Sequence, residues 1–188
     1  MNRREALSTT AVLLGGTIVG AGTFLSGCKT APKKDGLFGI DDISFLDEVG
    51  ETILPATASS PGAKEVKIGE FMKSIVNDCY TELEQKIFME GIIKLNDACQ
   101  KKYSDDFMDV SASEKHDLLI AIDAEAKEFR KNKPKELSDH YFTMMKQLTI
   151  WGYFSSEPGA TKALRYVAVP GHYKGCIPYK NGDRAWAL

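Results

Sequence analysis

Residues 66–102 read VKIGEFMKSIVNDCYTELEQKIFMEGIIKLNDACQKK, and this stretch decides the fold class. Ile68, Phe71, Met72, Ile75, Val76 and Cys79 recur at the spacing of one helical face, so Val66–Tyr80 is predicted as a helix. Thr81 and Glu84 then form a capping box, which opens a new helix running to about Lys102. Ile87, Phe88, Ile92, Leu95 and Cys99 line its inner face, and Gly91 among them marks a close approach of another helix. Two helices that meet at Tyr80-Thr81 read as a tight antiparallel hairpin.

The pattern continues on both sides. Upstream, Asp41 or Asp42 caps a helix carrying Ile43, Leu46, Val49 and Ile53, which Pro55 stops. The segment 56–63 (ATASSPGA) is a loop by composition. Downstream, Ser111 and Glu114 make a second capping box, followed by Leu118, Leu119, Ile122 and Phe129 before Pro134. Ser138 is expected to cap a fifth helix with Tyr141, Phe142, Met145, Leu148 and the run Ile150–Phe154. After the turn at Glu157-Pro158-Gly159, a short helix is expected over Thr161–Val169. No segment alternates with period two. The expectation is an all-α fold: a single bundle of about five main helices over 41–169, with an irregular aromatic extension over 170–188.

The 188 residues are 43% hydrophobic and 27% charged, which excludes a disordered chain and a coiled coil. A net charge of −2 argues against a nucleic-acid partner. A mean hydropathy of −0.24 excludes a polytopic membrane protein.

Residues 1–28 read as an address rather than as fold. Arg3 and Arg4 precede a run without charge from Ala6 to Gly27, diluted by Gly15, Gly16, Gly20 and Gly22. Paired arginines before a weakly apolar run are the pattern of a twin-arginine (Tat) export signal. The run ends Leu25-Ser26-Gly27-Cys28, which resembles a bacterial lipobox, so Cys28 is expected to be lipidated and to anchor the mature chain. The competing reading is a signal-anchor helix with an incidental Cys. Residues 29–40 are a polar tether. The location expected is the bacterial cell envelope, facing the periplasm.

Motifs of chemistry are missing from the body. It has no GxGxxG after a strand, no P-loop, no CxxC or CxxCH, no HExxH and no GxSxG. His116, His140 and His172 are scattered. No catalytic, cofactor-binding or metal-binding residue is therefore assigned. Cys79 at the turn and Cys99 about 18 residues up the next helix lie roughly 27 Å apart, far beyond disulfide reach. Both read as small buried apolar residues, and Cys176 is left either paired or free.

Several blocks taken in order resemble the gluconate 2-dehydrogenase subunit 3 family. They are Thr52-Ile53-Leu54-Pro55-Ala56, Pro61-Gly62-Ala63-Lys64, Gly69-Glu70-Phe71, Phe88-Met89-Glu90-Gly91-Ile92, the run Leu148–Ala160, and Tyr166–Gly171. The resemblance covers about residues 43–173. It implies a small helical escort of a large flavoprotein of the glucose–methanol–choline type, oxidising a sugar, sugar acid or other polyol. FAD would sit in that partner and not in this chain, and a cytochrome c subunit or a quinone would accept the electrons. The lipobox and the extension 173–188 are not general features of the family.

Aromatic placement suggests a partner surface. Trp151 and Tyr153 lie about 200° apart on a helix, so they cannot both face one core. Pro170, Gly171, His172, Tyr173, Tyr179 and Trp186 add aromatic and turn-forming residues outside any helical spacing. Trp151, Tyr153, Pro170, Gly171, His172, Tyr173 and Trp186 are the candidate interface residues. The extension either contacts the partner or folds back on the bundle. Two other readings stay open: a free-standing helical lipoprotein with a binding or structural role, and a small enzyme using His172, Tyr173 and Cys176.

Overall fold

The computed structural model describes residues 37–134, 137–169, 171–172 and 174–187. Arg3, Arg4, Cys28, Pro170 and Tyr173 lie outside the described residues. The body consists of α1 (Ile40–Ile53), α2 (Ile68–Cys79), α3 (Glu82–Tyr103), α4 (Ala112–Asn132) and α5 (Tyr141–Ser155), followed by a single π-helical turn, Gly159–Ala163. Among the described residues there is no strand, and one isolated bridge pairs Arg165 with Trp186. No described helix is long and apolar enough to cross a membrane.

Helix α5 touches all four other helices, which accounts for its apolar composition. Helix α2 packs mainly on α1 and α5 and less on α3, so the expected hairpin is looser than its short turn implied. Gly91 acts as expected: a Cβ there would lie 2.5 Å from Cβ of Tyr141, so glycine lets α3 and α5 meet closely.

Both expected capping boxes form. The Thr81 and Ser111 hydroxyls each accept from the N–H three residues on, and Glu84 and Glu114 reach back to the N–H groups of Thr81 and Ser111 at 2.9 Å.

Four starts and ends differ from expectation. Helix α1 is capped at Gly39, and Asp42 works from inside the first turn by accepting the Gly39 N–H at 2.8 Å. Helix α5 is capped by His140 and not Ser138: the Phe142 N–H donates to His140 Nδ1 at 3.3 Å. The imidazole lies against Phe129 and Tyr141, and burial lowers its pKa, which favours the neutral acceptor form the cap needs. The short helix over Thr161–Val169 does not form. The π-turn closes with the Leu164 N–H on the Gly159 carbonyl, after which the Arg165 main chain is taken up by the returning tail. Finally, the body begins inside the expected tether, since Phe38 is buried edge-on against Phe88.

Phe107, in the α3–α4 connection, is fully buried beside Phe45, their ring centroids 5.2 Å apart. Cys99 is buried, and burial pushes its thiol pKa up. Cys79 is exposed rather than core, because it closes α2 at the surface, and Cys79, Cys99 and Cys176 are all free thiols.

Candidate partner-docking surface

The chain from Leu54 to Lys64 bends sharply after Pro55 and is held by one carboxylate. Glu51, in the last turn of α1, accepts from the N–H groups of Ala56 and Lys64, both at 2.9 Å. A Cβ on Gly62 would lie 2.1 Å from the Glu51 oxygens, so only glycine admits this latch. The loop is closed further by Ala63 N–H on the Leu54 carbonyl and by Thr57 bonded to Ser60.

Helix α5 then packs over this loop. The Tyr153 hydroxyl donates to the Pro61 carbonyl at 2.6 Å, and Tyr153 is only 3% exposed. Gly152 faces α2, where a Cβ would come within 2.5 Å of both Ile68 and Phe71. Gly159 approaches so near that a Cβ would sit 1.8 Å from the Tyr153 carbonyl. Gly69 at the start of α2 donates its N–H to Asp47 of α1 at 2.8 Å. Burial raises the Asp47 pKa, against the lowering effect of that bond.

Of the two aromatics predicted to point apart, Tyr153 is therefore core and Trp151 is surface. Trp151 is 54% exposed, its ring edge-on to Phe71 at 5.3 Å. Ile150 and Phe154, which the sequence places in the same helical run, are exposed beside it. Their offsets of one and three residues from Trp151 were a usable signal.

The extension returns to the body. The Arg165 N–H donates to the Ala185 carbonyl at 2.7 Å, and the Ala187 N–H donates back to the Arg165 carbonyl at 3.0 Å. The Arg165 guanidinium lies over the Trp186 ring at 4.8 Å, and Arg184 reaches the Ser59 carbonyl at 3.2 Å. Trp186 is thus spoken for by its own chain, though half-exposed. Gly171 and His172 are exposed, Gly171 with a φ of +66° and open space around it. Between the two ends of this clasp, Tyr166, Val169, Ile177 and Tyr179 remain exposed.

Among the described residues no group of three or more His, Cys, Asp or Glu is placed to hold a metal. A hollow between α1, α3 and the 105–109 loop is lined by Asp41, Asp42, Asp97, Asp106 and Asp109. Asp106 there is already engaged. Asn96 and Gln100 donate to it at 2.8 and 2.6 Å and lower its pKa, while Asn96 also accepts the Phe107 N–H. The hollow is a structural corner that pins the loop.

The family model described as gluconate 2-dehydrogenase subunit 3 matches residues 40–171. The chain belongs to the gluconate 2-dehydrogenase subunit 3 family. Comparison with curated proteins and with solved structures gave no match. The family is that of a small subunit in a dehydrogenase complex, and it implies association with a larger dehydrogenase subunit. The matched range takes in all five helices, the Glu51-latched loop and the exposed α5 residues. The clasped extension beyond Gly171 falls outside the match.

Proposed function

We propose that this chain is the non-catalytic small subunit of an exported FAD-dependent dehydrogenase of the glucose–methanol–choline type. It serves the export, folding and membrane anchoring of the flavoprotein. The observation that carries this reading is the family match across the whole helical body, residues 40–171. The exposed apolar face of α5 supports it, because a subunit needs a surface for its partner. FAD and the chemistry belong to the larger subunit, which oxidises a sugar, sugar acid or other polyol and passes electrons to a cytochrome c subunit or a quinone.

Purification of the tagged chain from its native membranes tests this. The expected result is a stoichiometric larger subunit with flavin absorbance and sugar- or polyol-dependent dye reduction. A colourless single species would instead establish the free-standing lipoprotein. Turnover by this chain alone would assign catalysis to it.

The leader supplies the route in this proposal. Arg3→Lys with Arg4→Lys is expected to abolish mature protein in the envelope fraction, and Cys28→Ala to release the body from membranes or leave uncleaved precursor. Each acyl CH₂ buried in a bilayer contributes about 0.8 kcal/mol, so losing the lipid removes the anchor. Envelope blots and the intact mass of the mature N-terminus check both results. Unchanged export of the Lys pair removes the Tat route, and an N-terminus without added lipid mass removes the anchor.

A further inference from the structure

The second half of α5, Gln147–Ser155, contains no charged residue. Its inner arc is filled by Leu148, Gly152 and Tyr153. Its outer arc holds Ile150, Trp151 and Phe154, which are 42%, 54% and 37% exposed. Counted from exposed Gln147, these sit at i+3, i+4 and i+7, the spacing of a single helical stripe. A helix apolar all round is one covered on both sides, and the described residues cover one side only. Two other exposed apolar residues of the helical body stand among carboxylates: Ile93 has Glu90 and Asp97 at helical spacing, and Ile120 has Asp117 and Asp123.

The stripe is also held in place. Gly152 admits Phe71 closely, and the Phe71 ring makes a T-shaped contact with Trp151. An indole braced in this way loses little rotamer freedom on binding, which is what an interface anchor requires.

Resting on the function proposed above, we infer that Ile150, Trp151 and Phe154 are the anchor by which the larger dehydrogenase subunit seats on this chain. Three observations select that occupant. Family membership implies a larger dehydrogenase partner, and the surface for it is expected within the matched body, which includes this stripe and excludes most of the extension. A stable interface buries about 800 Å² on each partner, more than three side chains supply, so the occupant must extend well beyond the stripe. A lipid surface fits poorly, because membrane-seated aromatic faces are flanked by free Lys or Arg. The only cation within α5 itself, Lys146, is paired with Asp123 at 2.7 Å.

The test uses the tagged full-length chain in its native host, with a photo-crosslinking phenylalanine analogue at position 151 or 154 and, as control, at position 93. Crosslinks from 151 and 154 to the flavin-containing subunit, with none from 93, are expected. In parallel, the triple variant Ile150→Ser, Trp151→Ser, Phe154→Ser is expected to melt as a cooperative helical body while binding the purified flavoprotein at least about thirtyfold more weakly. Retention of the flavoprotein by the triple variant at unchanged affinity overturns the inference and leaves the proposed function standing. So do crosslinks only to a second copy of this chain or only to lipid, with flavoprotein still co-purifying. Absence of any flavoprotein with the wild-type chain overturns both. If the triple variant unfolds, the crosslinks decide alone.

Discussion

Phe88→Ala is expected to lower the melting midpoint of the mature body by roughly 10–15 °C. Phe88 is fully buried in α3, edge-on to Phe38 at 6.0 Å and to Tyr80 at 6.4 Å. It therefore ties together the chain entering α1, the turn between α2 and α3, and α3 itself. Truncating a buried Phe costs about 3–5 kcal/mol, the upper part applying where the walls cannot collapse into the cavity. Here the walls belong to separate elements, each fixed by its own contacts. At about 2–4 °C per kcal/mol for a body of this size, the shift is large. Phe129→Ala is the comparison. That ring is 37% exposed, and its loss, which also frees one side of the His140 cap, should cost about 1–2 kcal/mol. Thermal melts followed by circular dichroism check the pair. A Phe88→Ala midpoint no lower than that of Phe129→Ala would show that the ring does not hold these elements together.

The elements legible from sequence were those whose signals act over one or two turns. Thr81 with Glu84, and Ser111 with Glu114, are complete within four residues, so no distant part of the chain can change them. Where a cap depends on tertiary packing, local reading fails. Ser138 is the better N-cap by side-chain type. His140 takes the position because Phe129 and Tyr141 hold its imidazole against the first turn of α5. Gly39 has no side chain to announce a cap, and the Asp42 carboxylate performs that task from within the helix. Phe38, beside Leu37 ahead of α1, and Phe107, beside Met108 between α3 and α4, lie in segments too short to show a helical period. Without periodicity, nothing local separates them from exposed linker residues, and both are core.

The candidate surface was half legible for a similar reason. Helical geometry alone says that Trp151 and Tyr153 face opposite ways, but not which faces inward. That is decided by the Pro61 carbonyl, which accepts the Tyr153 hydroxyl across 92 residues of sequence. A buried phenol needs such a partner, whereas the half-exposed Trp151 indole makes a T-shaped contact with Phe71. The tail was likewise open between two outcomes. Its return is fixed by main-chain bonds between Arg165 and residues 185–187, to which side-chain patterns are blind. The loop between these ends still exposes Tyr166 and Tyr179, so folding back and presenting an apolar surface coexist.

Glu48→Ala is expected to destabilise the body more than Lys115→Met, although the two side chains form one ion pair. Lys115 of α4 is buried, and its ammonium donates to Glu48 of α1 at 2.8 Å and to the Met108 carbonyl at 3.2 Å. The Phe107 ring lies 5.7 Å from the nitrogen. Removing Glu48 leaves a buried cation with one carbonyl and a ring face. Breaking a buried pair in this manner costs about 3–5 kcal/mol, and the partial exposure of Glu48 favours the lower end. Removing Lys115 is milder. Glu48 keeps Lys64, 2.9 Å away, and Met fills the volume with apolar contact, so about 1 kcal/mol is expected. The pH dependence separates the same two residues. The bond to Lys115, above all, holds the Glu48 carboxyl below its ordinary pKa of 4.5, with Lys64 assisting. A carboxyl lowered in the folded state stabilises it fully above the unfolded pKa, and that stability drains away as pH falls through the folded value. The wild-type melting midpoint should therefore fall on acidification below about pH 5, with a shallower fall in Lys115→Met and the Glu48 contribution gone in Glu48→Ala. Melts of the three proteins at pH 7 and across pH 5 to 3 read both effects. A Lys115→Met protein less stable at pH 7 than Glu48→Ala would mean that the carboxylate, not the ammonium, is the charge that cannot stand alone.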